Sequence, residues 1–519
     1  MPTLYWIGKD KVVNHHQEVP YRVLEHKYGF REGKQTAEDT GSGNMIIHGD
    51  NLEALKSLLP KYQGKINCIY IDVPYNTGNE KWVYNDNVNE PHIKKWLGEV
   101  VGTEGEDLSR HDKWLCMMYP RLVLLQKLLS DSGFIFISID DNEQANLKLI
   151  CDEVFGNQNF IFQITWRRTD NQPNIGKIAK VAEYILVYAK DVRNCQLGRL
   201  PLTEKAKAEY RYSDAKGAFR RGILLDKTRG RFTYPVVTKG GNVLTGPWMV
   251  TEEKLKELDR DNLVYWTSGG DEQPYSKIYL DDTKGQIPNN FWNIEFGTNQ
   301  RASLELENMF GKRVFDFPKP TLLIENIIQL GSRKDGIILD SFAGSGTTAH
   351  AVLNLNKKDK ANRKFILVEM LDYAEDITAE RVRRAIQGYG EGNKSVEGTG
   401  GAFDFYELGE PLFFENGYLN EEVGEDKIRE YIFFSDTQQP LQERTPDNKY
   451  YLGNAFETAY YFYYERDATT ILNHETLRQI VTQRAEQYII YADICTLTED
   501  EMSRLSVVFK KIPRDIKRF

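Results

Sequence analysis

Short apolar runs alternate with segments of helical periodicity along much of this chain, and that alternation limits the possible fold more than any other feature. Apolar runs bounded by Gly, Pro or acidic residues predict buried strands. We place five of them at residues 44–49, 66–71, 133–139, 336–340 and 364–369, and a closing strand pair at 160–166 and 184–188. Helical segments are predicted at 51–59, 120–129, 142–154, 321–330 and from 347 onwards. Strands that alternate with helices build a sheet with helices on both faces, so we predict an α/β fold.

The alternation is interrupted once, and the interruption suggests how the chain divides into domains. At roughly 150 residues per domain, 519 residues correspond to about two to four domains. Between 191 and 312 the periodicity weakens while Gly, Pro, Lys and aromatic residues become frequent, as in an inserted, loop-rich domain. We predict an N-terminal extension, two parts of one core around the insert, a linker and a mixed C-terminal domain, with bounds at 1–43, 44–190, 191–312, 313–387, 388–400 and 401–519.

The charge of the chain is distributed unevenly. The formal net charge is −9, and residues 401–519 account for all of it, with 13 Lys+Arg against 22 Asp+Glu. Residues 200–240 hold ten Lys and Arg against four acidic residues, with aromatic residues between them. Such a segment can follow a phosphate backbone, although a basic run is more often a solvated face. Its candidate DNA contacts are Arg220, Arg221, Lys227, Arg229 and Arg231.

Composition excludes several classes of protein. The hydrophobic (40%), charged (28%) and aromatic (12%) fractions are typical of a globular chain rather than a disordered or fibrous one. No run reaches the roughly 18 apolar residues of a membrane span, and the polar start does not resemble a signal peptide, so we expect a cytoplasmic protein. The five cysteines lie far apart without C-x-x-C or Cys/His clusters, so we expect reduced, buried thiols, with no disulfide framework and no metal site.

A glycine-rich turn joins the strand at 336–340 to the helix that begins at Thr347. It reads Asp340-Ser-Phe-Ala-Gly344-Ser-Gly346-Thr347-Thr. Small residues let the backbone approach a ligand, and the helix N-terminus offers free N–H groups. Glu369, at the end of the next strand, is placed to bind ribose hydroxyls. The pattern suits a nicotinamide enzyme as well as an S-adenosylmethionine enzyme, so both remain open at this point, as does a turn needed only for packing.

A second cluster, Asp72-Val73-Pro74-Tyr75, follows the buried strand at 66–71. Ligands bind at this edge of parallel sheets. An exocyclic amine can donate one N–H to the Asp72 carboxylate and another to the Val73 carbonyl, while its ring stacks on Tyr75. The amine lone pair then faces an electrophile. The plainer interpretation is a strand end followed by an ordinary turn.

Taken together, these motifs resemble those of the amino-methylating DNA methyltransferases. The order of tetrapeptide, long insert and Phe342-x-Gly344-x-Gly346 is similar to the β class, and specifically to the modification (Mod) subunits of type III restriction-modification systems. Further similar runs lie at 48–55, 79–87, 111–115, 317–321 and 511–519. The resemblance implies a Rossmann-like S-adenosylmethionine-dependent fold, with the insert as target recognition domain. It also implies methyl transfer to adenine N6 of a flipped base.

The resemblance implies roles for individual residues as well. Besides Asp340 and Glu369, it assigns cofactor contacts to residues near the adenine, on the methionyl side and ahead of the glycine loop, namely Asp50, Phe342, Gly344, Gly346, Thr347, Lys319, Pro320 and Thr321. Arg167 and Arg168 are candidate phosphate contacts, with a sheet-edge ion pair as the alternative.

The resemblance further implies partners: double-stranded DNA, a second copy of the chain in a homodimer, and a helicase-nuclease (Res) subunit. The acidic C-terminal region is a poor DNA surface. Its apolar runs at 460–464 and 488–491 predict buried or subunit-facing strands.

Val73 departs from the family pattern, which usually has proline at that position. The reaction requires only the carbonyl there, and Val keeps it. Because Val73 is β-branched and precedes Pro74, its backbone already favours extended conformations. We predict reduced or normal methylation; the alternative is an impaired subunit that binds DNA and cofactor without efficient methylation. Chemistry alone does not separate adenine N6 from cytosine N4, whereas the absence of a Pro-Cys dipeptide argues against cytosine C5.

Overall fold

The computed structural model describes residues 3–77, 108–172, 177–267, 269, 272–441 and 448–514. The run at 79–87 and residues 515–519 of the terminal run lie outside the described residues. The chain forms two compact units, one of Met1–Leu197 with Asn289–Phe519 and one of Gly198–Pro288. The second unit falls inside the predicted insert.

Within the described residues, a mixed sheet of eleven strands runs through the larger unit. In chain order its strands are β1 Arg22–Arg31, β2 Lys34–Thr36, β3 Met45–His48, β4 Ile66–Asp72, β5 Leu129–Ile139, β6 Phe160–Arg167, β7 Ala182–Ala189, β8 Phe291–Trp292, β9 Ile337–Asp340, β10 Lys364–Glu369 and β11 Ala402–Pro411. Their spatial order is β8-β6-β7-β5-β4-β9-β10-β3-β11-β1-β2. Helices lie on both sides, which confirms the predicted α/β class.

Six central strands, from β5 across to β11, are parallel. The carboxyl ends of β4, β9 and β10 therefore meet at one edge. From β4 the chain passes to β5 on one side, and from β9 it passes to β10 on the other. A crevice forms where neighbouring strands send their connections in opposite directions, and α/β proteins bind ligands there. Strand β7 is antiparallel to β5, with Ile139 opposite Tyr184, so β7 begins at the same edge.

Each of the five predicted helical segments overlaps a helix of the larger unit, but the helix predicted at 120–129 begins at Leu108, and several other helices were not predicted. Its α-helices are Lys9–Val12, His15–Glu18, Asn51–Tyr62, Leu108–Leu128, Gln144–Cys151, Asn299–Phe310, Thr321–Gly331, Thr347–Asp359, Glu380–Gln387, Glu425–Thr437, His474–Ile480 and Glu499–Arg504. Shorter 3-10 or π turns lie at Asp152–Gly156, Asn157–Asn159, Ile294–Phe296, Asp372–Ala374, Glu375–Ala379, Gly392–Lys394 and Glu421–Val423. In the described part of the chain, no helix is both long and apolar enough to cross a membrane.

The smaller unit is organised around an antiparallel sheet. In spatial order its strands are Val264–Trp266, Pro274–Tyr279, Gly217–Ile223 and Tyr212–Asp214. A two-stranded ribbon, Pro235–Val237 with Val243–Thr245, and the helices Glu204–Lys207 and Glu252–Arg260 complete it. Leu224, Trp248, Leu255 and Val264 form its buried core. With so few buried side chains, this unit leaves most of its polar residues on the surface.

The segment after the second half of the core differs from the predicted linker and separate domain. Gly388–Tyr389 and Val396–Glu397 pair as a short hairpin within the predicted linker. The next strand, β11, joins the main sheet because its Asp404–Glu407 pairs in parallel with β3. Beyond it, Tyr451–Ala455, Thr458–Phe462, Gln487–Ala492 and Val507–Lys511 form a second sheet, and Ile471–Leu472 pairs with Ile494–Cys495. The apolar runs at 460–464 and 488–491 thus contribute to adjacent parallel strands.

The prediction of buried thiols is right for three of the five cysteines and wrong for Cys195 and Cys495. All five cysteines are free. Cys68, Cys116 and Cys151 are buried, whereas Cys195 and Cys495 are partly exposed. Burial raises the pKa of the Cys68 and Cys151 thiols well above the usual range. These two thiols therefore behave as apolar core groups.

Candidate active site

Two loops that are far apart in sequence border one cavity at the carboxyl edge of the main sheet. Strands β4 and β9 are neighbours, with Ile338 opposite Cys68. The loops that follow them enclose a cavity of about 800 Å³. From the first loop it is lined by Asp72, Val73, Pro74 and Tyr75, and from the second by Phe342, Ala343, Gly344 and Ser345. The two predicted motifs therefore face each other across a single space.

Side chains hold the Asp72 carboxylate at the floor of this cavity. Tyr75 donates its hydroxyl proton to Asp72 Oδ1 at 2.9 Å, and Lys319 Nζ donates to Asp72 Oδ2 at 2.7 Å. Lys319 Nζ also lies 5.1 Å from the centre of the Tyr75 ring. Burial lowers the pKa of Lys319, but Asp72 and Glu183 outweigh it and raise that pKa overall. Lys319 is therefore a fully charged ammonium at neutral pH.

Glu183 is the second carboxylate of the cluster, and the sequence did not reveal it. It lies at the start of β7 and is 5% exposed. Its Oε2 lies 3.0 Å from the Tyr75 hydroxyl and 3.6 Å from Lys319 Nζ. Burial raises the pKa of Glu183, Lys319 opposes that shift, and Asp72 adds to it. Burial also raises the pKa of Tyr75 well above its ordinary value, so the phenol stays protonated.

The backbone of the tetrapeptide is fixed from behind. Trp114, fully buried in the helix Leu108–Leu128, donates its ring N–H to the Pro74 carbonyl at 2.7 Å. The next residue, Asn76, has φ +57°, a left-handed conformation that Asn tolerates better than most residues. The Asn76 amide donates to the buried carboxylate of Glu143. These contacts hold the loop at the carboxyl end of β4.

Backbone N–H groups hold the carboxylates of the glycine loop. Asp340 Oδ1 accepts from the Phe342 N–H at 3.0 Å, and its Oδ2 accepts from the Thr348 hydroxyl at 2.5 Å. Glu369 accepts from the N–H groups of Gly344 at 2.7 Å and Leu371 at 3.0 Å. Desolvation raises the pKa of both Asp340 and Glu369 to about 7. Both side chains are buried, and together they pin the loop.

Glycine is required at two positions of that loop. Gly344 has φ +52° and Gly346 has φ +79°, both in the left-handed region. A Cβ on Gly346 would lie 2.9 Å from the Thr378 carbonyl oxygen, and one on Gly344 would lie 3.3 Å from the Phe315 ring. At Gly346 the loop therefore approaches the backbone more closely than a side chain would allow, whereas at Gly344 the left-handed backbone is the main reason for glycine.

The segment Lys319–Thr321 is tied to the glycine loop, as a shared site requires. Thr347 donates its hydroxyl to the Lys319 carbonyl at 3.2 Å. Arg381, fully buried, donates to the hydroxyls of Thr347 at 2.7 Å and Thr321 at 3.0 Å. Pro320 is the N-cap of the helix Thr321–Gly331. The sequence did not identify Arg381, because its helix carries three Arg residues and nothing in the local pattern shows which of them is buried.

Several predicted site residues are not among those that line the cavity, namely Asp50, Arg167, Pro320, Thr321, Gly346 and Glu369. The Asp50 carboxylate caps the helix Asn51–Tyr62 by accepting from the N–H groups of Leu52 and Glu53. Arg167 donates to backbone carbonyls within its own loop. Arg168 does line the cavity, and its Nε lies 3.7 Å from Glu183 Oε1, the ion pair considered as its alternative role.

The predicted basic residues of the smaller unit differ in how firmly they are held. The Arg221 guanidinium lies 4.8 Å from the Tyr212 ring and 4.6 Å from the Tyr275 ring. Arg220 lies 5.8 Å from the Tyr210 ring. Arg229 is paired with Asp226 at 2.6 Å. Lys227 and Arg231 are exposed.

Comparisons with known proteins agree with this geometry. Residues 66–380 match a family model described as DNA methylase. The type III restriction-modification enzyme StyLTI Mod subunit of Salmonella typhimurium is 39% identical over 354 residues, which cover 65% of this chain and 54% of that protein. The EcoPI Mod subunit of Escherichia phage P1 is 33% identical, covering 71% of this chain and 63% of that protein. The type II methyltransferase M.KpnI of Klebsiella pneumoniae is 32% identical over a region that covers 67% of this chain and 85% of that protein. The chain thus spans 54% and 63% of these two Mod subunits.

Proposed function

Because this chain belongs to the DNA methylase family, we propose that it is a site-specific DNA methyltransferase that acts on adenine N6 with S-adenosylmethionine. We propose further that it is the modification subunit of a type III restriction-modification system. One observation carries the first proposal: Asp72–Tyr75 and the glycine loop line the same cavity. A nicotinamide oxidoreductase would have no use for the Asp72–Tyr75 cluster.

The residues around the cavity suit a positively charged ligand such as S-adenosylmethionine. The lining contains six acidic and three basic side chains, namely Asp72, Asp140, Asp141, Glu183, Asp316 and Asp340 against Arg168, Lys180 and Lys319. Burial raises the pKa of Asp340 to about 7 and also raises that of Glu183, but the acidic groups still outnumber the cations. The volume of about 800 Å³ lies within the usual range for small-molecule sites. Phe342, Gly344 and Thr347 would hold the cofactor, with Glu369 behind the loop. When bound, the cofactor supplies a methyl group on a positively charged sulfur.

In the proposed reaction the protein orients an amine rather than forming a bond to it. Asp72 and the carbonyl of Val73 accept the two N–H groups of the target amine, and the Tyr75 ring stacks on the base. These contacts leave the amine lone pair directed at the methyl group. They also offset part of the few kcal/mol required to take a base out of the duplex. Proximity supplies most of the acceleration in such a site.

Val73 bears on whether the site is active. Val73 is 2% exposed, and its neighbour Pro74 is held through its carbonyl by Trp114. The loop is thus fixed by contacts that do not involve a proline ring at position 73. This supports methylation over the alternative of an inactive DNA-recognition subunit.

We propose that the smaller unit reads the DNA sequence. Its exposed Arg and Lys residues suit phosphate contacts, and Arg221, placed between two tyrosine rings, suits a base or sugar contact. We propose, from the family resemblance, that the chain acts as a homodimer and assembles with a helicase-nuclease (Res) subunit.

Long-read sequencing tests the proposed function. A host free of DNA methylation that expresses this chain should acquire modified adenines in one common sequence context. The purified chain should then transfer labelled methyl groups from S-adenosylmethionine to a duplex with that sequence. Modified cytosines would change the base assignment, and an absorbance change on titrating NADH would favour the oxidoreductase.

A further inference from the structure

The ammonium of Lys319 occupies the place that the target amine would need. Its Nζ donates to Asp72 Oδ2 at 2.7 Å and lies over the face of the Tyr75 ring, 5.1 Å from the centre. These are the acceptor and the stacking surface that the proposed function assigns to the target base. Because Asp72 Oδ1 already accepts from Tyr75, an incoming amine is directed to Oδ2 and to the ring face that the ammonium covers, so the two N–H donors compete there.

A displaced ammonium needs another carboxylate within reach. Lys319 and Glu183 have side chains only 8% and 6% exposed, and their charged atoms lie 3.6 Å apart. Leaving either charge unpaired in such surroundings is strongly unfavourable. A rotation of the lysine end group that closes this gap to hydrogen-bond distance would transfer the ammonium from Asp72 to Glu183.

The other contacts of Glu183 are compatible with this exchange, because Arg168 lies 3.7 Å from Oε1 whereas Lys319 and Tyr75 lie near Oε2. The Tyr75 hydroxyl lies between the two carboxylates, 2.9 Å from Asp72 and 3.0 Å from Glu183, and its single proton can serve only one of them at a time. When Lys319 binds Glu183, that proton is left to Asp72. The ring therefore keeps a hydrogen bond to Asp72 while the base stacks on it.

We propose that Glu183 is a positioning residue that takes the Lys319 ammonium when the target amine binds Asp72. The inference rests on the proposed methyl transfer to an exocyclic amine. In this exchange the target amine replaces the ammonium as the donor to Asp72, and the ammonium pairs with Glu183 instead. Only hydrogen bonds and an ion pair change partners. Glu183 acts on the reaction through Lys319 and does not touch the base.

Duplexes with and without the exocyclic amine test the exchange directly. The probe pair is the methylation-site duplex with adenine at the target position and the same duplex with purine there, each measured with sinefungin present. Purine also pairs more weakly with the opposite base, which lowers the cost of flipping to the same extent for every variant, so the ratio of the two affinities is compared between variants. Glu183→Gln keeps the shape but not the charge, so Lys319 stays on Asp72, and the preference for adenine should fall to about a tenth of its wild-type value, as expected for the loss of a hydrogen bond to a charged acceptor.

A double variant separates exchange from simple structural support. Glu183→Gln combined with Lys319→Met has no ammonium to compete, so the preference for adenine should return to at least about half of its wild-type value. Glu183→Asp keeps the charge, so this variant should retain most of the preference for adenine. An unchanged ratio in Glu183→Gln, or a double variant no better than Glu183→Gln, would overturn the proposal. Failure of the wild-type chain to methylate the duplex would instead count against the proposed function, because the binding ratio does not depend on turnover.

Discussion

The two walls of the cavity hold their carboxylates in different ways. On the glycine-loop side, Glu369 is held by two backbone N–H groups, and Asp340 by one such group and a buried hydroxyl. On the other side, Asp72 is held by the movable ends of Tyr75 and Lys319. Backbone donors move only with the chain, whereas side-chain donors can rotate away. The first wall is thus formed before any ligand arrives, and the second can exchange its partners.

The largest effect on the methylation rate is expected from a change in the Asp72 side of the cavity, where side chains hold the carboxylate. Asp72→Ala removes the acceptor of the target amine, so the methylation rate should fall by about a hundredfold or more. Because the glycine loop does not depend on Asp72, affinity for S-adenosylmethionine should change by less than about threefold. Single-turnover methylation and calorimetric titration measure the two quantities.

Asp72→Asn is the matched control, since it keeps one acceptor oxygen and loses the charge. Its rate should lie between those of the wild-type chain and Asp72→Ala. Equal losses of cofactor affinity and rate in Asp72→Ala would contradict the separation of the two walls.

Gly346→Ala tests the preformed wall. The new Cβ would combine a left-handed backbone with a 2.9 Å approach to the Thr378 carbonyl. Each left-handed non-glycine residue costs about 1–2 kcal/mol, so cofactor affinity should fall by about tenfold or more. Calorimetric titration with S-adenosylmethionine measures this loss.

Gly311→Ala is the control for that variant, because Gly311 has φ +74° and open space where its Cβ would lie. The Gly311→Ala variant should have a lower thermal stability, because alanine is strained in a left-handed backbone conformation. Its affinity for the cofactor should be unchanged. A Gly346→Ala variant that binds cofactor like the Gly311→Ala variant would show that the close approach is unimportant.

A smaller effect, on the pH dependence of stability, is expected from Asp340. Burial raises the pKa of this side chain to about 7. The folded chain keeps a proton there at pH values where the unfolded chain has lost it, so stability decreases as pH rises from about 4 through 7. Asp340→Asn cannot lose that proton. Its melting temperature relative to wild type should therefore be higher at pH 8 than at pH 5.5, by about 2 °C. Scanning fluorimetry at both pH values measures it, and a difference of opposite sign would mean that the charged form is the stabilised one.

Val73→Pro should have the smallest effect. The loop is already fixed through Pro74 and Asn76, so the methylation rate should change by less than about threefold. A chain that is inactive with Val73 and active after the substitution would show that the carbonyl at this position requires proline.

The sequence located the acidic residues of the site because they end parallel strands. Asp72, Asp340 and Glu369 each terminate a recognisable apolar run, and parallel strands bring such ends to one edge. Glu183 does not end a parallel strand. It lies at the start of β7, and only the antiparallel pairing with β5 brings a strand start to that edge. The run at 184–188 was recognisable as a strand, but its direction depends on a partner that periodicity does not specify.

Local pattern also explains why the strand after the linker was assigned to a separate domain. Ala402–Pro411 has an ordinary strand pattern in an acidic region, and nothing in it identifies β3 as its neighbour. The same limit applies to Arg381, whose burial depends on hydroxyls contributed by two distant segments. Such pairings are set by the tertiary fold rather than by nearby residues.

The position of β11 determines where the protein can be shortened. It lies between β3 and β1, so it joins the first strands of the chain to the catalytic half of the sheet. A truncation before Ala402 would remove the strand to which β3 and β1 are hydrogen-bonded. The two strands would then have exposed edges, and exposed strand edges tend to pair with other molecules. A shortened form for crystallisation should therefore end beyond Pro411.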